Sequence, residues 1–233
     1  MGSTGEAIGQ VIGVPSSLPP SLLSDGPALR LLDIAIAAQE SQGKLSLDDE
    51  IRRYVRTVSG DWIARWNCSV YAATGVLDAV ADHIERNRSP DLEFLPSHFL
   101  EKVERACDDM DPADYLHTLA ETTRTLERQG VPEYWELPMG SWEFLQTFPH
   151  LFGLDAILMD EGDREFAHVV LSAVANDHPY CHERAASYTT EAQRALVLFP
   201  GPDALKTRLS WATHSRLQEV VDIVNEHMRR EHS

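Results

Sequence analysis

The chain has 233 residues, 43% of them hydrophobic, and its 37 acidic against 20 basic side chains give a net charge of −17. This charge repels polyanions, so we expect neither nucleic acid nor an anionic membrane surface as a partner. Three scattered cysteines cannot form a complete disulfide framework, and neither a secretion signal nor a bilayer-spanning segment is evident. We therefore expect a cytoplasmic protein. Separately, the composition is poor in lysine but rich in arginine and alanine, which is typical of bacteria with GC-rich genomes.

The first 24 residues are rich in Gly, Ser and Pro, which predicts a flexible N-terminal arm before one helical domain over 25–233. Pro27 suits the first position of a helix that ends near Gly43. Ser46 is a candidate N-terminal cap for the next helix, which Gly60 closes.

Apolar side chains recur every three or four residues from about Asp61 to Arg86, which predicts a long amphipathic helix. A shorter helix follows Pro96. Asp111 then caps a helix with Pro112 at its first position and Gly130 at its end.

Further helices are predicted from Asp163, from Asp177 or His178, after Thr190, and over 203–230. No segment alternates polar and apolar residues between hairpin turns, so no significant sheet is expected. The sequence therefore predicts an all-α protein, a single irregular multi-helix bundle of roughly eight to ten helices.

An aromatic connector at 131–152 interrupts this series of helices, because prolines and glycines break it repeatedly. Its rings must be buried somewhere, either as a plug at the end of the bundle or as the wall of a pocket. If they form a pocket, the residues expected to bind its ligand are Tyr134, Trp135, Trp142 and Phe148.

Two pairs of titratable residues beyond the connector are spaced so that both members could face one side of a helix. Glu165 and His168 are three residues apart, as in helical carboxylate–metal sites, and a solvated ion pair is the alternative. His178 and His182 form H-x-x-x-H, a spacing that can hold a metal, although Pro179 favours His178 as a helix cap. Cys181 beside His182 is expected to be an inert, partly buried cysteine, since sequence neighbours on a helix point about 100° apart.

The phosphate-binding, dinucleotide-binding, serine-elbow and zincin motifs are all missing from the sequence.

Two hypotheses about function follow. In the first, an aromatic-walled pocket binds or transforms a small, largely apolar organic molecule. Glu165, His168 and His182 then act as acid–base groups, or His178 and His182 bind a divalent metal, which is not the favoured version. In the second, the protein is a non-catalytic acidic helical partner, immunity or regulatory in kind, of a basic protein. The first is favoured slightly, with no reaction class assigned and no oligomeric state implied.

Overall fold

The computed structural model describes residues 23–24, 26–60, 68–86, 95–160 and 164–232. These residues form ten helices and no strand, so the all-α prediction is confirmed. Most of the predicted N-terminal arm, the start predicted at Asp61 and the start predicted at Asp163 lie outside the described residues. In the part of the chain that the structure describes, no helix combines the length and apolar character needed to cross a membrane.

The helices are numbered here in chain order. They are α1 Pro27–Glu40, α2 Leu47–Gly60, α3 Val70–Arg86, α4 Ser97–Cys107, α5 Pro112–Arg128, α6 Ser141–Thr147, α7 Pro149–Asp160, α8 Phe166–Ala175, α9 His182–Leu198 and α10 His214–Glu231.

The chain divides into two compact units, Met1–Pro132 and Glu133–Ser233. In the first unit α3 packs along α5, and α1 packs against α2, α3 and α4. Its largest buried side chains include Phe99 and Leu116, each with 0% exposure. The first unit therefore has a hydrophobic core of its own.

In the second unit α10 packs against both α8 and α9, while α7 also contacts α8 and α9. Nε2 of His214, at the start of α10, lies 3.0 Å from the carbonyl oxygen of Phe199, just after the end of α9. Because the end of one helix meets the start of the other, α9 and α10 run antiparallel. This pairing decides which side chains meet at the opposite end of the two helices.

Several predicted helix ends are confirmed. The Asp111 carboxylate accepts hydrogen bonds from the backbone N–H groups of Ala113 and Asp114, and Pro112 opens α5. Gly130, just beyond the same helix, has φ +95°, a conformation that favours glycine. Ser46 Oγ likewise accepts the N–H of Asp49 at the start of α2.

The prediction of an irregular connector at 131–152 is wrong in its second half, which contains α6 and the start of α7. Pro149 is the first residue of α7, where its missing N–H has no cost. Gly140 precedes α6, and its N–H donates to the Glu143 carboxylate. Gly140 and Pro149 therefore mark helix starts.

Two other boundaries also differ from the prediction. The helix expected from Asp177 or His178 begins at His182 and continues without a break through Thr190. The terminal helix begins at His214 instead of Asp203, because Thr213 Oγ1 caps it by accepting the N–H of Arg216. In α9 the buried stripe of Ala185, Tyr188 and Ala192 overrides the local preference for a break at Thr190.

Candidate metal centre

Cys181 and His227 are brought together by the buried stripes of α9 and α10. Cys181 immediately precedes α9 and continues its buried stripe of Ala185, Tyr188 and Ala192. His227 follows Val224 at the end of the buried stripe of α10. Since the two helices run antiparallel and pack on each other, both side chains point inward at the same end of the pair.

His178 reaches the same point from the turn between α8 and α9. Arg184, in the first turn of α9, fixes this turn because it donates to the carbonyl oxygen of Ala173 and pairs with Asp177 at 2.8 Å. His232 follows the last residue of α10 and is five residues beyond His227. These four residues, which we call the His–Cys cluster, are His178, Cys181, His227 and His232.

The donor atoms of the His–Cys cluster all lie within 4.8 Å of one another. Cys181 Sγ is 3.0 Å from His232 Nε2, 3.2 Å from His227 Nε2 and 3.8 Å from His178 Nδ1. A tetrahedral zinc ion, with Zn–S of about 2.3 Å and Zn–N of about 2.0–2.1 Å, would hold sulfur and nitrogen ligands roughly 3.5 Å apart. The observed separations lie within about 0.5 Å of that value, so the four donors could hold one ion after small shifts of the rings.

Hydrogen bonding within the cluster accounts for only part of this arrangement. A thiol has one weak hydrogen to donate, so it can satisfy one of three imidazole nitrogens as an acceptor. The imidazole rings themselves lie close together, with centroids 5.1 to 6.2 Å apart. A cation bound by all four donors would satisfy them together.

The ends of α9 and α10 at the His–Cys cluster favour binding of a thiolate-coordinated cation electrostatically. Cys181 occupies the N-cap position of α9 but makes no side-chain capping bond. A thiolate there lies at the positive end of the α9 dipole, while the C-terminal end of α10 offers negative potential to a cation. Cys181 and His227 are buried, whereas His178 and His232 are exposed. The centre thus lies at the surface end of the α9–α10 pair.

Among the residues proposed from the sequence as metal ligands, His178 belongs to the cluster and His182 does not. His182 is exposed on α9, and the turn of about 100° between adjacent helical residues directs it away from the side of Cys181. Cys181 was expected to be inert and partly buried, and it is fully buried with its sulfur facing three imidazoles. Sequence reasoning missed His227 and His232, whereas the H-x-x-x-H spacing at 178–182 singled out the turn that holds His178.

Glu165 and His168 lie next to the His–Cys cluster without joining it. Glu165 is the N-cap residue of α8 and His168 is the third residue of that helix. Both line a groove between α8 and α10 whose wall includes His227. The structure therefore places both side chains on one groove, and their acid–base role stays a prediction.

The aromatic residues of 131–152 divide between core and surface. Phe148 is fully buried and its ring centroid lies 4.9 Å from that of Phe144. Tyr134 is partly buried and its hydroxyl oxygen is 3.4 Å from an Arg194 guanidinium nitrogen, while Trp135 is 81% exposed. Trp142 is half-buried. Phe148 therefore fills the core, whereas Trp135 faces solvent.

A second group of histidine and carboxylates lies in the first unit. His117 Nδ1 is 3.0 Å from Asp78, and its Nε2 is 3.6 Å from Asp82 and 4.0 Å from Glu85. Arg124 pairs with Asp78 and Arg86 pairs with Asp82. All three carboxylates are about a third exposed or more, so this group is an ion-pair network on the surface.

Comparison of the chain with protein-family models, with curated proteins and with solved structures finds no match.

Proposed function

We propose that the 133–233 unit binds one zinc ion through His178, Cys181, His227 and His232. The single observation that carries the proposal is the convergence of these four donors within 4.8 Å. Thiolate and imidazole are ligands that zinc prefers, and four protein ligands complete its tetrahedral coordination.

A coordination shell filled by the protein favours a structural role for the ion over a catalytic one, because a catalytic zinc keeps a position open for water or substrate. The ion joins the turn before α9 to the end of α10. It thereby fastens two segments that lie more than 45 residues apart in the chain. The function proposed for the unit is that of a zinc-stabilised helical domain.

The test is the metal content and zinc affinity of protein purified without a histidine tag. We expect one zinc ion per chain, and a Cys181→Ser or His227→Ala variant should lose at least about 10- to 100-fold in affinity. His182→Ala removes an exposed imidazole beside the centre, and Cys107→Ser removes a buried thiol from the other unit, so both controls should bind zinc normally. Zinc well below one per chain, with the same affinity in ligand variants and controls, would contradict the proposal.

The aromatic-walled pocket for a small apolar molecule stays a prediction. Burial of Phe148 and exposure of Trp135 give it no support, whereas the His–Cys cluster has an explicit geometry. A cytoplasmic location and a bacterial source likewise stay predictions from composition.

A further inference from the structure

A groove of about 590 Å³ runs between α8 and α10 on the surface of the second unit. Its apolar lining consists of Ala167, Leu171 and Ile223, and Leu171 is 40% exposed. Exposed aliphatic carbon in a groove offers a contact surface for the apolar part of a ligand.

The charged lining of this groove is strongly acidic. It consists of Glu165, Asp222, Glu226, Glu231 and one arginine, Arg230. Arg230 pairs with Glu226 at 2.5 Å, so it is already neutralised. Within the described residues, the other three carboxylates have no cationic partner, and Asp222 accepts only a neutral amide bond from Gln218.

We propose that this groove binds a basic, amphipathic segment of a partner protein. Lysine and arginine carry aliphatic stems below a cationic head, so the stems can lie on Leu171 and Ile223 while the heads meet the unpaired carboxylates. Complementary charge also speeds association and rejects anionic competitors. The inference goes beyond zinc binding and does not depend on it.

The probe is a short helical peptide of leucine and lysine, and its anionic control is the same peptide with glutamate for lysine. Binding is measured by fluorescence anisotropy at low and physiological salt. The groove variant combines Glu165→Gln with Asp222→Asn, and the matched control combines Asp160→Asn with Glu219→Gln, two acids that do not line the groove. Each double variant removes two negative charges, so the net charge changes from −17 to −15 in both.

The groove variant should bind the cationic peptide roughly three- to tenfold more weakly than the wild type, and the control should bind it normally. Leu171→Ser should also weaken binding, while Val197→Ser, at a 77% exposed position outside the groove, should not. Equal losses in the two double variants would overturn the inference, and so would an unaffected Leu171→Ser variant or equal binding of the anionic peptide. Zinc content is measured in the same samples, so that the two proposals can be distinguished. If the protein contains no zinc but still binds the peptide at the groove, only the proposed zinc site is contradicted.

Discussion

Cys181 Sγ lies 3.2 Å from His227 Nε2, although 46 residues separate the two in the chain. The contact exists because α9 and α10 pack antiparallel, so that Cys181 at the start of the α9 stripe meets His227 at the end of the α10 stripe. An ion held there would contribute to the free energy of unfolding only in the folded state, since the ligands are dispersed when the chain unfolds.

Zinc should therefore stabilise the protein against unfolding. At a free zinc concentration about 100 times the dissociation constant, we expect the free energy of unfolding to rise by about 2.7 kcal/mol. Urea titrations followed by circular dichroism, in zinc buffer and in EDTA, measure the difference. His182→Ala should show the full increase and Cys181→Ser should show almost none. An identical unfolding midpoint for the wild type in both buffers would show that the ion is not part of the folded structure.

Glu191 is expected to stabilise the second unit by capping α7 from α9. Its carboxylate accepts the backbone N–H groups of His150 and Leu151, and lies 2.7 Å from His150 Nδ1. Glu191→Leu leaves these N–H donors without an acceptor, so the free energy of unfolding should fall by about 1–3 kcal/mol. Glu219→Gln, which removes one partner of the surface ion pair with Arg216 on α10, is the control and should change it by less than about 0.5 kcal/mol. Equal effects of the two substitutions in urea unfolding would show that the cap contributes nothing.

Tyr54 is expected to make the first unit sensitive to alkaline pH. Burial, helped by the negative charges of Cys68 and Glu127, raises the pKa of the Tyr54 hydroxyl well above its usual value. The unfolded chain ionises this group near pH 10 and the folded protein does not. The contribution of the Tyr54 hydroxyl to the free energy of unfolding is therefore fully present below about pH 10. Above that value the free energy of unfolding falls as pH rises, by up to about 1.4 kcal/mol per pH unit.

Tyr54→Phe removes this ionisation, so its free energy of unfolding should fall less steeply than that of the wild type between about pH 10 and 12. Among the described residues the Tyr54 hydroxyl has no hydrogen-bond partner, so the variant should be at least as stable as the wild type at pH 7. Tyr71→Phe, at a 69% exposed position, is the matched control. Parallel pH profiles for the wild type and Tyr54→Phe would disprove the role of Tyr54.

The sequence predicted the helices whose ends are encoded locally. Asp111 and Pro112 define the start of α5 within two residues, and Gly130 defines its end. Where a boundary depends on packing, as in the unbroken passage of α9 through Thr190, local preference predicted a break that does not occur.

The candidate metal centre could be predicted only in part. His178 was identified from a short spacing, but its expected partner, His182, points elsewhere. His227 and His232 lie 46 and 51 residues beyond Cys181, and the antiparallel packing of α9 on α10 brings them to it. A spacing rule within one helix contains no information about such a contact.

X-ray absorption spectroscopy of the zinc-loaded protein tests the central claim most directly, because it counts the atoms bound to the ion. Coordination by His178, Cys181, His227 and His232 predicts one sulfur at about 2.3 Å and three nitrogens at about 2.0–2.1 Å. In Cys181→Ser the sulfur contribution should disappear. A spectrum of the wild-type protein with only nitrogen and oxygen ligands would contradict the account.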